Sequence, residues 1–261
     1  MPIIEGVGFS EHTKEKYRVL SGITGMHLKM TKGIIHRWRG IDPYYYYVDL
    51  NAGPGRYSNG NGYIYEGSPV LFRKVARIED INYRAFYIEI QEAHCNHLRE
   101  VLGECPEGSY EKVICGDNTK ETTGLLDNSR EKKYGLIFSD PTGSVPPFDM
   151  LAKLSKLPEY RCIDFMIYLT AASYKRILKA SHCDLEYSII EQLSRIRKSN
   201  WVIREPVGKH QFTFLIGSNW KKFPGWKNQR LYRLDSSEGQ ECMKKINYTK
   251  AEQSRGQLEL F

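Results

Sequence analysis

Asp49-Leu50-Asn51-Ala52-Gly53-Pro54-Gly55, Glu89, Asp117-Asn118 and Asp140-Pro141-Thr142-Gly143 are the runs in this chain with residue types suited to binding and reaction. Gly53 and Gly55 let the backbone turn tightly and approach a ligand with no Cβ in the way. Glu89 is placed to accept hydrogen bonds from a ribose diol, and Asp117 and Asn118 could hydrogen-bond an adenine ring. A glycine turn alone is a weak signal. The order of the runs says more, because each one follows a stretch that reads as a β-strand.

Those stretches are Tyr44 to Leu50, Arg84 to Ile90, Tyr110 to Cys115, Tyr134 to Asp140 and Ile163 to Leu169, all rich in aromatic or β-branched residues. Helical segments lie between them. Glu11 to Thr31 reads as a helical lead-in, weakened by Gly22 and Gly25. Ser68 is a plausible N-cap, with Pro69 at the first helical position. Gln91 to Leu102, Thr119 to Leu126, Phe148 to Leu157 and Cys183 to Arg197 read as further helices, and Arg56 to Glu66 as a loop without periodicity. Trp201 to Glu205 and Gln211 to Ser218 are strands joined by too few residues for a crossover helix, so they must pair antiparallel. Strands alternating with helices predict an α/β fold with a mainly parallel sheet and helices on both faces. In such sheets ligands bind at the carboxyl ends of the strands, near the point where the strand order reverses. The polar runs would converge there, and acidic residues at three successive strand ends exceed what scattered surface carboxylates explain. Tyr44 to Tyr47 lie mid-strand and read as packing and hydrogen bonding between elements. The domain is expected over residues 1–234, with a flexible polar tail over 235–261.

Composition removes other classes. Hydrophobic residues make up 41% of the 261, as in ordinary globular proteins, which excludes disordered and collagen-like chains. No apolar run approaches the ~20 residues of a membrane helix. Met1 to Ser10 lacks the basic flank and apolar core of a secretory signal, and none of the six cysteines forms a CxxC pair. A cytoplasmic location is expected. His94, Cys95 and His97 would share a helix face, but structural metal sites normally need four ligands, so no metal is expected. No Gly-Lys-Ser/Thr follows the first strand, which excludes a P-loop. Gly53-Pro54-Gly55 runs into a long loop rather than a helix, and Glu89 lies well beyond the ~20-residue offset of a nicotinamide-dinucleotide site.

These motifs resemble the class I S-adenosylmethionine-dependent methyltransferases. More narrowly they resemble the three-Cys-motif partner protein (TcmP) family, through His12-Thr13-Lys14-Glu15-Lys16, Asp49 to Tyr57, Gly67-Ser68-Pro69, Phe86 to Glu89 and Phe138 to Gly143. The match runs in order from about His12 to Ser218. It implies a Rossmann-like, seven-stranded, mostly parallel sheet with one antiparallel strand, in the order 3-2-1-4-5-7-6. It implies S-adenosylmethionine over Gly53 to Gly55, with Asp49, Asn51, Ala52, Pro54 and Ser68 in the binding region. Glu89 would sit on the ribose and Asp117, with Asn118, near adenine. His12 and Lys16 would close over the methionine end. The family name, which reflects a neighbouring gene product, also leaves room for a protein partner.

The fourth strand departs from the usual amino-methylating pattern, Asp/Asn-Pro-Pro followed by an aromatic that stacks on a flipped base. Here Asp140 and Pro141 precede Thr142 and Gly143, as the TcmP pattern allows. Asp140 is the expected acceptor or base at the target amine, and Phe148 or a tyrosine between Tyr57 and Tyr65 the substitute for the missing aromatic. The formal charge is +7. Lys221, Lys222, Trp226, Lys227 and Arg230 lie in a stretch where basic and aromatic residues interleave, as on surfaces that track a phosphate backbone and stack bases. Gln257, Leu258, Leu260 and Phe261 resemble the bacterial sliding-clamp-binding peptide, with Glu259 at its variable position, and this favours DNA over RNA as the partner. The reading is a nucleic-acid methyltransferase, with adenine N6 of DNA favoured. The alternatives are an enzyme of RNA or of a modified base, and a non-catalytic cofactor-fold partner module.

Overall fold

The computed structural model describes residues 4–5, 12–58, 63–127, 129–141, 144–170, 185–208 and 211–246. The chain divides into two units, Met1–Ser139 with Pro158–Asp164, and Asp140–Leu157 with Phe165–Phe261. Among the described residues, no helix is long and apolar enough to cross a membrane.

The first unit contains β1 (Ile4–Glu5), α1 (His12–Ile35), β2 (Ile41–Asp49), β3 (Arg56–Ser58), β4 (Ile64–Glu66), α2 (Ser68–Ile78), β5 (Tyr83–Glu89), α3 (Glu92–Leu102), β6 (Tyr110–Cys115), α4 (Asn118–Glu121) and β7 (Lys132–Ser139). Its main sheet has the order β7-β2-β5-β6 with every pair parallel. Tyr45, Tyr46, Tyr47 and Val48 are all buried, as expected of a parallel strand covered on both faces. The chain steps outward from β2 to β5 to β6 and then returns past β2 to β7. The order therefore reverses between β2 and β7, which makes the carboxyl ends of these strands the switch point.

The tyrosine run does the packing expected of it. Tyr47 stacks on Phe72 of α2 with ring centroids 3.9 Å apart. The Tyr46 hydroxyl donates to Asp42 at 2.8 Å. The Tyr45 hydroxyl meets His27 Nδ1 at 2.8 Å, and His27 Nε2 donates to Asp164 at 3.0 Å. Burial, with the Asp164 charge adding to it, holds the Tyr45 phenol protonated far above its ordinary range. This chain ties α1 to the start of the segment that returns at Asp164. Removing Asp164 strips the acceptor from a histidine that is 2% exposed. Asp164→Ala is therefore expected to lower unfolding free energy by about 2 kcal/mol. Urea denaturation checks this, and a loss below about 0.5 kcal/mol, the range of ordinary surface substitutions, would refute the role.

Several elements differ from the sequence-based expectation. Residues Arg56 to Glu66 are not simply a loop: β3 and β4 pair antiparallel with Tyr57 opposite Tyr65, and β1 joins β3 in parallel. These strands are three residues or fewer, too short for a visible period of two. The helix expected over Thr119 to Leu126 is the four-residue α4, started by Asp117 as N-cap. Gly67, not Ser68, is the N-cap of α2, which places Ser68 inside the helix and buried. The reason is that the Gly67 amide donates to the Gly55 carbonyl at 2.6 Å, holding Gly67 extended.

The second unit contains α5 (Phe148–Leu154), β8 (Ile163–Thr170, its first two residues belonging to the first unit), α6 (Leu185–Ser194), β9 (Asn200–Arg204), β10 (Phe212–Ser218), β11 (Leu231–Arg233) and α7 (Ser237–Lys245). Its strand order is β11-β9-β10-β8 with each neighbouring pair antiparallel. The expected order is thus realised as 3-2-1-4 in one unit and 5-7-6 in the other, and β11 adds an edge strand. The stretch after Leu234 was expected to be a flexible tail. Its first part is instead α7, capped by Ser236, with Cys242 and Met243 buried. Two apolar anchors in a polar helix are too sparse a pattern to stand out, and contact with β9 and β11 supplies the rest.

Candidate functional site

The loops after β2, β5 and β6 are hydrogen-bonded to one another. The Gly53 amide donates to Glu89 Oε2 at 3.0 Å, and the Gln91 amide donates to Glu89 Oε1 at 2.8 Å. The Ala52 amide donates to the Ile88 carbonyl at 3.0 Å, and the Gly116 amide to the Glu89 carbonyl at 2.9 Å. The Asn118 side-chain amide donates to the Leu50 carbonyl at 2.8 Å. These bonds bring Gly53, Glu89 and Asn118 together within the first unit.

Their roles divide. Asp49 is fully buried and accepts from the Asn51 amide at 3.1 Å and the Tyr47 hydroxyl at 3.3 Å. It shapes the turn and presents no open face, which corrects its expected place in the binding surface. Ala52 and Ser68 are also buried and support the loop from beneath. Gly53 adopts φ +63°, and a Cβ added there would meet nothing within 4 Å, so this is the point where a ligand can approach the backbone. Gly55 adopts φ +78°, and its Cβ would stand 2.6 Å from Leu98 Cδ1, so this glycine is required by packing against α3. Pro54 is held between them: its carbonyl accepts from buried His97 Nδ1 at 2.6 Å.

Glu89 keeps acceptor capacity beyond its two backbone donors, since a carboxylate offers about four lone-pair sites. His94 Nδ1 lies 3.7 Å from it. Asp117 Oδ1 accepts from both the amide and hydroxyl of Thr119, at 2.9 and 2.7 Å, and these bonds hold its carboxyl below the usual range. Oδ2 is left for a ligand amine. Asn118 is committed to Leu50 through its amide and acts as a brace between loops. Beside Glu89, Ile90 is 70% exposed, an apolar surface next to polar groups. The sequence analysis gives Ile90 no role and weighs His97 only as a metal ligand. The first was visible as an aliphatic residue continuing past the acidic strand end, the second as one of two histidines a helical turn apart.

His12 opens α1, but its side chain lies outside the described residues, and Lys16 is half-buried one turn later. His94, Cys95 and His97 do not form a common metal-binding set among the described residues: Cys95 donates to the Glu89 carbonyl at 3.2 Å, and His97 is turned to Pro54.

In the second unit, Asp140 and Pro141 are half-buried, directly after the last residue of β7 in the chain. Thr142 and Gly143 lie outside the described residues. Phe148 is 4% exposed, so it cannot stack on a base, which corrects its candidacy. Tyr168 of β8 is half-buried, and its ring lies 5.8 and 5.3 Å from those of Phe212 and Phe214. Burial raises its pKa far beyond the normal range, with the Asp140 charge a second cause, so the phenol stays neutral.

Of the basic stretch, Lys221, Lys222 and Lys227 are exposed and Trp226 is half-buried. Arg230 is partly neutralised by Glu205 at 3.4 Å. Gln257, Leu258, Leu260 and Phe261 lie outside the described residues.

No family model matches the chain. No curated protein matches it either. Solved structures do. One is a Legionella pneumophila str. Philadelphia 1 protein of the DUF519 family, 15% identical, with a TM-score of 0.51 over 80% of this chain and 89% of that one. Another is human methyltransferase-like protein 13 in complex with SAH, 16% identical, with a TM-score of 0.48 over 91% of each chain. At these identities the likeness is one of fold, and the chain has the Rossmann-like α/β fold with a largely parallel sheet that its strand order describes.

Proposed function

We propose that the chain is an S-adenosylmethionine-dependent methyltransferase acting on an exocyclic amine of nucleic acid, with adenine N6 of DNA as the favoured target. The observation that carries the cofactor reading is the Gly53–Glu89 pair at the switch point. An open backbone at φ +63° lies one hydrogen bond from a carboxylate that retains acceptor sites. Ile90 supplies an exposed apolar face and Asp117 a free carboxylate oxygen, a donor and acceptor set that fits ribose hydroxyls and an adenine. The human neighbour solved with SAH agrees with this choice. Bound there, the cofactor would supply an electrophilic methyl group.

The chain's own part in the reaction falls to Asp140. A carboxylate that accepts from the amine N–H raises electron density on the nitrogen and holds the proton as the methyl is received. Tyr168 stands in for the stacking aromatic that Thr142 and Gly143 do not provide. It is neutral, half-buried and in the field of Asp140. The exposed lysines 221, 222 and 227 favour a polyanionic substrate. Tritiated-methyl transfer to DNA and to RNA separates the two substrate classes.

Glu89→Ala is expected to weaken S-adenosylmethionine binding about 10- to 100-fold, the range for a hydrogen bond to a charged group. Calorimetry checks it. An affinity within twofold of wild type would refute the ribose assignment, and a wild-type chain that binds no cofactor would favour a non-catalytic partner module.

A further inference from the structure

The basic stretch does more than present charge. Between β10 and β11 the chain turns at Gly225 (φ +82°), makes one 3-10 turn over Trp226–Gln229, and turns again at Arg230 (φ +53°). Phe223 is buried and anchors this loop. The result is a cavity of about 320 Å³ built within the second unit alone. That is the lower end of the roughly 300–1,000 Å³ of small-ligand sites, enough for a nucleotide-sized group and too small for a helix.

Its lining is chemically divided. Phe223, Pro224 and Trp226 give an apolar wall, with the Phe223 and Trp226 rings 6.4 Å apart. Lys221, Lys222 and Arg233 supply cations. Arg233 is paired: its Nε and Nη2 each donate to Asp235 at 2.8 Å, which leaves Nη1 outside that pair. Lys221 and Lys222 are exposed and have no ion pair among the described residues, so their charge is not cancelled locally. Asn200, at the start of β9, adds a donor and an acceptor. A flat aromatic wall beside uncancelled cations suits a base with its phosphate. Lysines alone would suit any anion, and an aromatic wall alone any apolar group.

We propose that this cavity binds one unpaired nucleotide of the nucleic-acid substrate, its base against Trp226 and its phosphate on Lys221 and Lys222. The proposal rests on the nucleic-acid reading above and specifies it further: the preferred substrate contains a single-stranded or unstacked nucleotide. None of the cavity residues belongs to the glycine loop, to Glu89 or to Asp140.

The test is fluorescence anisotropy with a labelled oligothymidylate and a blunt duplex across a salt series. Trp226→Ala is expected to weaken the single strand about tenfold, the loss of one base–aromatic stack, with duplex affinity changed less than twofold. Lys222→Gln is expected to reduce the single-strand salt slope by about 0.7, the value for one released counterion. Trp226→Phe keeps a ring at the site and is expected to stay within about threefold of wild type, which separates stacking from a folding defect. If wild type binds neither nucleic acid, the underlying reading fails. If it binds both and Trp226→Ala weakens them equally or not at all, the cavity proposal fails while that reading stands. A polyglutamate peptide that competes as well as the oligonucleotide would also overturn it, because it has charge and no bases.

Discussion

Replacing Asp140 with alanine is expected to reduce methyl transfer about 100- to 10,000-fold, the range of a positioned acid–base group. The loss should fall on kcat, with S-adenosylmethionine affinity unchanged, because the groups that fit the cofactor lie in the loops after β2, β5 and β6. Asp140 is half-buried, so the truncation leaves no core cavity of the kind that destabilises a fold. Asp140→Asn keeps an acceptor oxygen but cannot take the proton, and should retain more activity than alanine if hydrogen bonding outweighs proton transfer. Single-turnover transfer of a tritiated methyl group, with calorimetry on the same variants, gives the measurement. Full activity in Asp140→Ala would remove this residue from the reaction.

The two glycines of the first turn should separate stability from binding. Gly55→Ala is expected to cost about 2–4 kcal/mol. A left-handed backbone costs a residue with a Cβ about 1–2 kcal/mol. The new atom would also stand 2.6 Å from Leu98 Cδ1, so this fully buried side chain must shift within the packed core. Gly53→Ala carries only the backbone penalty, about 1–2 kcal/mol, because its Cβ would meet no protein atom within 4 Å. That Cβ would occupy the space through which a ligand reaches the amide paired with Glu89. Gly53→Ala should therefore lose at least about tenfold in cofactor affinity, roughly the worth of one displaced hydrogen bond to a charged group. Gly55→Ala should show the larger fall in melting temperature. The reverse ranking in thermal denaturation, or unaltered cofactor affinity in Gly53→Ala, would contradict the division.

Phe148 shows why a candidate aromatic cannot be judged from the sequence alone. The sequence offers Phe148 or a tyrosine between Tyr57 and Tyr65 as the stacking aromatic, and the fold buries Phe148 in α5. Tyr168, whose titration feels the Asp140 charge, is 28 positions away, on another strand. His97 and Asn118 illustrate the same point. Each holds a loop through a backbone carbonyl, and a carbonyl has no residue identity for a motif to record. Asp49 reads in sequence as a ligand-binding carboxylate, yet it is buried and accepts from the Asn51 amide and the Tyr47 hydroxyl.

Local patterning determined a good deal. Aromatic and β-branched runs marked the strands, the short connection from β9 to β10 required antiparallel pairing, and the alternation of strands and helices set the class. Those features depend on neighbours within a few residues, and a sequence displays them directly. Tertiary structure alone decided which polar side chains stay open and which brace the loops, that the segment after Leu234 begins with a helix, and that the basic stretch folds around a cavity. Each of these depends on contacts between residues far apart in the chain, where burial and hydrogen-bond partners, not residue type, settle what a side chain can do.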